Sequence, residues 1–337
     1  MKAIPVLLFG LASLMGADLQ PVSAIDFSQA LRIPPHHLFI AIAALGATPD
    51  GVMVSRAMGC DGFEPGIARA ARTGANITRI DFPAPYRNGG DVVPAPDGSW
   101  WLESFGAPSL PGAVPCMPPG SPPGVYTGFP VLSGPQQFRP ASGSVDVNVH
   151  NFDLFAKNGK LIESFREIGA GKLAPWGAPS PSQITPGSTR IALASTGLIR
   201  VGHVTNGAFV SDREWQINSS YVIVPLAGDS FGVVNRFSGQ LTVIDPATPD
   251  TRVAETHITA ANARMRPLVA GANDSIWFLL SGSGDKRDLV QFAADGQVLS
   301  RNTLRMPARF KPFRLAISGR DVYLAGFGAI VYRYELP

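Results

Sequence analysis

The sequence points to an all-β chain, a six-bladed β-propeller of four-stranded antiparallel blades, on three grounds. Glycine (36 residues) and proline (31) make up about a fifth of the 337 residues, while charged residues are only 16%, against about 25% in an average soluble domain. Short apolar runs recur between turn residues along almost the whole length. Those turns align in two rows, spaced as in a repeated four-stranded unit. At 45% hydrophobic residues the chain is too apolar to be disordered. Its glycines follow no strict triplet, which excludes a collagen helix.

The opening segment reads as an address. Lys2 precedes an apolar run from Ile4 to Leu14, and Val22-Ser23-Ala24 is a small-residue cleavage pattern. A secretory signal peptide is expected over residues 1–24, with cleavage after Ala24. The run is shorter than the roughly 20 residues a membrane span needs, and no later segment could serve. No cysteine follows it as a lipid attachment point. The expectation is a secreted or periplasmic protein without a transmembrane segment, its residues 25–337 forming one domain.

The first row of turns comprises Thr48-Pro49-Asp50-Gly51, Ala95-Pro96-Asp97-Gly98, Pro186-Gly187-Ser188-Thr189, Ala227-Gly228-Asp229-Ser230, Ala272-Asn273-Asp274-Ser275 and Ser318-Gly319-Arg320-Asp321. Each lies between two apolar strands. Gly, Asp and Asn suit tight hairpins because they tolerate positive φ or bond their own backbone. A second row, about twenty residues further on in most units, comprises Thr73-Gly74, Asn158-Gly159, Asn206-Gly207, Pro249-Asp250 and Asp295-Gly296. The unit is therefore four strands, a–b–c–d, with tight a–b and c–d turns and a period of about 40–50 residues, the mark of a propeller.

The last unit has strands a, b and c and then the chain ends. The segment "AIDFSQALRIP" (Ala24 to Pro34) is similar to "QVLSRNTLRMP" (Gln297 to Pro307), which is a strand d. The N-terminal strand, Ile25 to Leu31, is therefore expected to join the C-terminal blade and close the ring, so that no unpaired edge is left open. The blades are placed at Phe39–Phe82, Asp91–Ile168, Gln183–Ile217, Tyr221–Ile258, Arg266–Leu304, and Phe313–Glu335 with Ile25–Leu31. The second carries a proline-rich insertion at about 107–144, between its strands b and c, with ten prolines. Proline supplies no ladder donor, so a loop is expected there. A degenerate seventh blade is the alternative.

With its Asx-Gly turns and aliphatic b strands, the chain resembles the broad class of six-bladed propellers that includes NHL-repeat and TolB-like proteins. The resemblance covers nearly all of the proposed mature chain and implies a fold. It implies no particular activity, because the fold hosts enzymes, binders and scaffolds. Lactonase-like propellers hold a metal with a glutamate and Asx residues at the channel mouth. The d–a connections here offer no corresponding glutamate.

In a propeller the b–c and d–a connections share one end, here called the upper end, where ligands usually sit. Cys60 and Cys116 fall in the b–c connections of adjacent blades, and the register predicts a disulfide between them. The net charge of +3 and pI near 9.0 are far below the basic stripe that nucleic acid requires. P-loop, HExxH and CxxC patterns are absent from the sequence.

Arg301, Arg305, Arg309, Lys311, Arg314 and Arg320 occur within twenty residues without an acid. Arg309 and Lys311 lie in a d–a connection beside Arg305. Arg264 and Arg266 occupy the preceding d–a connection, and Arg32, His36 and His37 the closing one. Arginine can hold carboxylate or phosphate bidentately, so these residues are candidates for an anion-binding rim, with a solvated charged surface as the simpler reading. Trp176 is the aromatic candidate at that end. His36, His37, His150 and His257 are weak metal-ligand candidates there, since they come from different blades and no carboxylate recurs at matched positions. His203 belongs at the opposite end. Trp101, Trp277 and Tyr323 recur at one b-strand position, which favours packing between blades.

These observations favour a monomeric, non-catalytic binding protein with no cofactor. Its upper loops would take a protein, a peptide or an anionic carbohydrate. The alternative is a secreted metal-dependent lyase or hydrolase with its active site at the same end.

Overall fold

The computed structural model describes residues 16–33, 42, 44–56, 66–81, 92–95, 97–105, 149–168, 183–195, 198–216, 221–235, 239–248, 252–255, 267–282 and 284–337. Two N-terminal strands, β1 (Asp18–Leu19) and β2 (Ser23–Asp26), precede six consecutive units. The first blade is β3 (Ala44–Thr48), β4 (Gly51–Arg56), β5 (Gly66–Ala71) and β6 (Thr78–Asp81). The second is β7 (Val92–Pro94), β8 (Trp100–Phe105), β9 (Val149–Phe155) and β10 (Leu161–Ile168). The third is β11 (Gln183–Pro186), β12 (Ile191–Ser195), β13 (Leu198–Thr205) and β14 (Ala208–Gln216). The fourth is β15 (Tyr221–Pro225), β16 (Phe231–Asn235), β17 (Gln240–Ile244) and β18 (Arg252–Glu255). The fifth is β19 (Leu268–Ala272), β20 (Ser275–Ser281), β21 (Lys286–Phe292) and β22 (Val298–Arg305). The sixth is β23 (Arg314–Ser318), β24 (Asp321–Ala325) and β25 (Ile330–Glu335), with β2 as its fourth strand.

The chain is thus a six-bladed propeller of antiparallel four-stranded blades. The proline-rich insertion at 107–144 lies outside the described residues. β2 runs antiparallel to β25, with Ile25 opposite Val331. It differs from the expected strand at both ends, because it starts at Ser23 and stops at Asp26. The Asp26 carboxylate accepts hydrogen bonds from the Ser28 amide and hydroxyl, which bends the chain out of the ladder. Leu31 then donates to the Phe27 carbonyl and Ile33 to that of Ser28. Leu31 and Arg32, which resembled a strand end, therefore lie in a turn.

The turns behave as their composition requires. Asn206 and Gly207 have φ of 53° and 73°, and Asn273 and Asp274 have 52° and 55°. Two consecutive positive φ values make the twist of a two-residue hairpin match that of its strands.

Among the described residues the apolar side chains fall into six clusters, one at each blade junction. Trp101 packs between blades two and three, Trp277 between five and six, and Tyr323 between six and one. The recurrent aromatic position is therefore packing. Both faces of a blade are covered, so β4 and β24 are buried at every residue, and charge has little room on the inner strands. The inner strands β3, β7, β11, β15, β19 and β23 touch in turn around the ring. Their approach is close enough that a β-carbon on Gly46 would lie 2.3 Å from Cδ of Pro94.

At the a–b and c–d end, polar staples join neighbouring blades. Asp229 of blade four accepts from the amides of Thr189 (2.7 Å) and Arg190 (3.3 Å) in the hairpin of blade three. Asn273 donates to the Gly319 carbonyl at 2.8 Å. Arg72 of blade one pairs with Asp321 of blade six, as does Arg333 at 2.9 Å. Lys157 pairs with Asp50 across blades two and one.

Candidate functional site

The upper end of blade six gathers an aromatic and cationic rim. β22 ends at Arg305, whose carbonyl accepts from the Tyr334 hydroxyl at 2.9 Å. The connection to β23 turns tightly, with the Phe310 amide donating to the Pro307 carbonyl at 3.0 Å. Arg309 is held there at φ 63°, a left-handed conformation that costs a side-chain-bearing residue of order 1 kcal/mol. The connection is anchored from below: Phe310 meets Tyr332 edge-on, with centroids 4.7 Å apart. The Phe313 amide donates to the Ala325 carbonyl at 2.8 Å.

Against this connection lies the b–c loop of blade six, Gly326-Phe327-Gly328. A β-carbon on Gly326 would lie 2.5 Å from both the Lys311 carbonyl oxygen and the Phe310 ring, so only glycine allows the two loops to touch. Between the two glycines Phe327 stands 46% exposed. It meets Phe313 edge-on, with centroids 4.5 Å apart and planes at 84°. Arg309 and Lys311 are exposed on this connection and Arg314 is exposed directly after it, and neither the connection nor the loop contains an acid. An apolar ring edge next to several cations can take a ligand that carries both an anionic and an apolar group.

Of the residues expected at the rim, Arg309 and Lys311 share this connection. Arg305 is held elsewhere. Its guanidinium grips Asp18 bidentately at 2.9 and 2.7 Å, with Lys286 at 3.3 Å on the same carboxylate. The hydrogen bond from Arg305 is the main reason that the Asp18 carboxyl is lowered to about 2. Arg32 lies on the turn after β2, exposed, at φ 51°, and its carbonyl accepts from the buried Arg56 at 3.1 Å. Arg320 donates to the Leu336 carbonyl at the opposite end, as expected.

His150 lies on β9, opposite Phe105 and Glu167 in register. His203 stands beside Asp212, 3.4 Å away, near the c–d turn of blade three. Among the described residues no group of three or more His, Cys, Asp or Glu side chains could hold a metal ion. His36, His37, His257, Cys60, Cys116, Trp176, Arg264 and Arg266 lie outside the described residues. Among the described residues no helix is long and apolar enough to cross a membrane.

The sequence reading did not single out Phe327 or Phe313. Its only available signal was an aromatic residue between two glycines in a b–c connection. It also did not find Asp18, because that residue had been assigned to the leader.

No protein-family model matches the chain, and no curated protein matches it. Solved structures do. The chain is similar to a streptogramin B lyase structure at 13% identity, TM-score 0.51, covering 94% of this chain and 98% of the other. It is similar to a chain of a mitotic checkpoint complex at 8% identity, TM-score 0.52, covering 99% and 97%. A virginiamycin B lyase from Staphylococcus aureus, crystallised as the inactive H270A variant with quinupristin, aligns at 9% identity and TM-score 0.48, covering 94% and 99%. At these identities the likeness shows the propeller fold alone.

Proposed function

We propose that this chain is an exported, non-catalytic binding propeller whose blade-six rim takes an acidic peptide segment bearing an apolar side chain. The observation that carries the proposal is the exposed Phe327, set edge-on to Phe313 beside the Arg309–Lys311 connection. The ring edge offers apolar area, and the cations offer charge-assisted hydrogen bonds to carboxylates. Export is supported by the Lys2 and Ile4–Leu14 pattern.

Fluorescence anisotropy with a labelled peptide of alternating glutamate and phenylalanine tests the site. Binding should weaken about tenfold in Phe327→Ala and more in Arg309→Glu/Lys311→Glu. It should fall with added salt, while thermal midpoints stay unchanged. A peptide bound equally by wild type and both variants would remove the rim from the function. A second reading, a metal-dependent lyase or hydrolase, draws on His150 lying opposite Glu167 in register. Stoichiometric metal in the purified protein, lost in His150→Ala, would favour it.

A further inference from the structure

The small-residue pattern before Ile25 is the expected end of the leader, but the segment that cut would remove is built into two blades. β1 lies parallel to β22, with Asp18 opposite Thr303 and Leu19 opposite Leu304. Leu19 packs on the core shared by blades five and six. The Asp18 carboxylate is the partner of both Arg305 and Lys286. The Val22 amide donates to the Arg333 carbonyl at 2.8 Å. Ser23 and Ala24 then pair with Arg333 and Tyr332, and the Ser23 hydroxyl oxygen is buried. Cutting after Ala24 would halve β2 between two rungs and leave two cations of blade five without their carboxylate.

A second small-residue pair, Gly16-Ala17, follows the apolar run directly; a cut after it keeps every contact named above and gives up the bond from the Thr303 amide to the Ala17 carbonyl (3.0 Å) and the approach of Gly16 to the Arg301 backbone. We infer that the leader ends at that pair. A leader peptidase, whose A-x-A-like pattern is met here by Ala17 directly before the bond but has Met15 at its other position, hydrolyses the Ala17–Asp18 peptide bond. Water adds across it, leaving the carboxylate on Ala17 and the free amine on Asp18. Residues 18–24 then remain in the mature protein as an outer strap joining blade five to blade six. This rests on the export reading above.

The test is intact mass and N-terminal sequencing of the protein purified from the periplasm or medium of a bacterium expressing the full chain. A start at Asp18 is expected. A start at Ile25, or anywhere after Asp18, overturns the inference and leaves export standing. Uncut protein confined to the cytosol overturns both the cleavage and export, and the strap is then judged by a second measurement. Val22→Pro removes the amide bond to Arg333, whereas Val22→Ala keeps it, and the Val22 side chain itself is 54% exposed. With the strap in place the proline variant should melt about 1–3 °C lower than the alanine variant. Equal midpoints would show that residues 18–24 are no part of the folded protein.

Discussion

Asp229 holds blade three to blade four, and its removal has a cost that can be worked from the geometry. Its carboxylate accepts the Thr189 amide at 2.7 Å, the Arg190 amide at 3.3 Å and the Thr189 hydroxyl. The Arg190 guanidinium lies 3.8 Å away. Burial alone would raise its pKa, but the hydrogen bonds from Thr189, Arg190 and Ser188 outweigh burial and hold it below the ordinary carboxylate value. Bonds to a charged acceptor contribute about 1.5–3 kcal/mol each, and an amide left without its acceptor adds a desolvation cost. The hairpin is only partly buried, so water recovers some of the loss. Asp229→Ala should therefore destabilise the protein by about 3 kcal/mol.

Asp229 also sits at φ 62°, a strain that alanine keeps and glycine relieves by about 1 kcal/mol. Asp229→Gly should accordingly lose about 2 kcal/mol. The assay is urea unfolding followed by the fluorescence of the buried Trp100, Trp101 and Trp277. Because the folded pKa is depressed, the stabilisation is present above the unfolded carboxylate value and is lost as pH falls through the folded one. The gap between wild type and Asp229→Ala should close in acid. An alanine variant within 0.5 kcal/mol of wild type at pH 7, or a glycine variant less stable than the alanine one, would refute the reasoning.

Asp18 titrates at about 2 because of Arg305 and Lys286. The stabilisation from this exposed contact is therefore present above about pH 4 and disappears toward pH 2, and Arg305→Gln should remove that part of the acid profile. Salt should weaken it too, since the pair is exposed. Burial pushes the Tyr323 hydroxyl up to about 12. Alkaline difference spectra should show this tyrosine un-ionised near pH 11, with stability falling as pH rises from 10 through 12. Gly326→Ala places a β-carbon within 2.5 Å of the Lys311 carbonyl. It should lower stability by about 1–3 kcal/mol and weaken peptide binding at the rim, as read by urea titration and anisotropy.

The blades were legible because their signals are local. Hairpins such as Asn206-Gly207 and Asn273-Asp274 need residues that tolerate positive φ, and such residues stand out between apolar runs. The b-strand aromatics repeat at one position because each fills the same kind of junction. What escaped the reading joins residues distant in sequence. Asp18 meets Arg305, and Arg72 meets Asp321, yet neither pair leaves any periodic trace. The cationic run around Arg305 looked uniform as a string. In space one arginine is neutralised, two exposed cations share a loop, and Arg320 turns to the opposite end.

By itself, then, the sequence determined the all-β class and the four-strand unit, and pointed to six units, with seven as the alternative, closed by the N-terminal strand. The class and the unit follow from turn chemistry and hydrophobic alternation within about fifty residues, the closure from the likeness of Ala24–Pro34 to Gln297–Pro307 and the strand the last unit lacks. Only the tertiary structure decided where β2 begins and ends, which cations keep their charge exposed, and that Phe327 stands against Phe313 beside them. Those outcomes depend on which side chains neighbouring blades bring within a few ångströms, and blade packing, not local propensity, sets those distances.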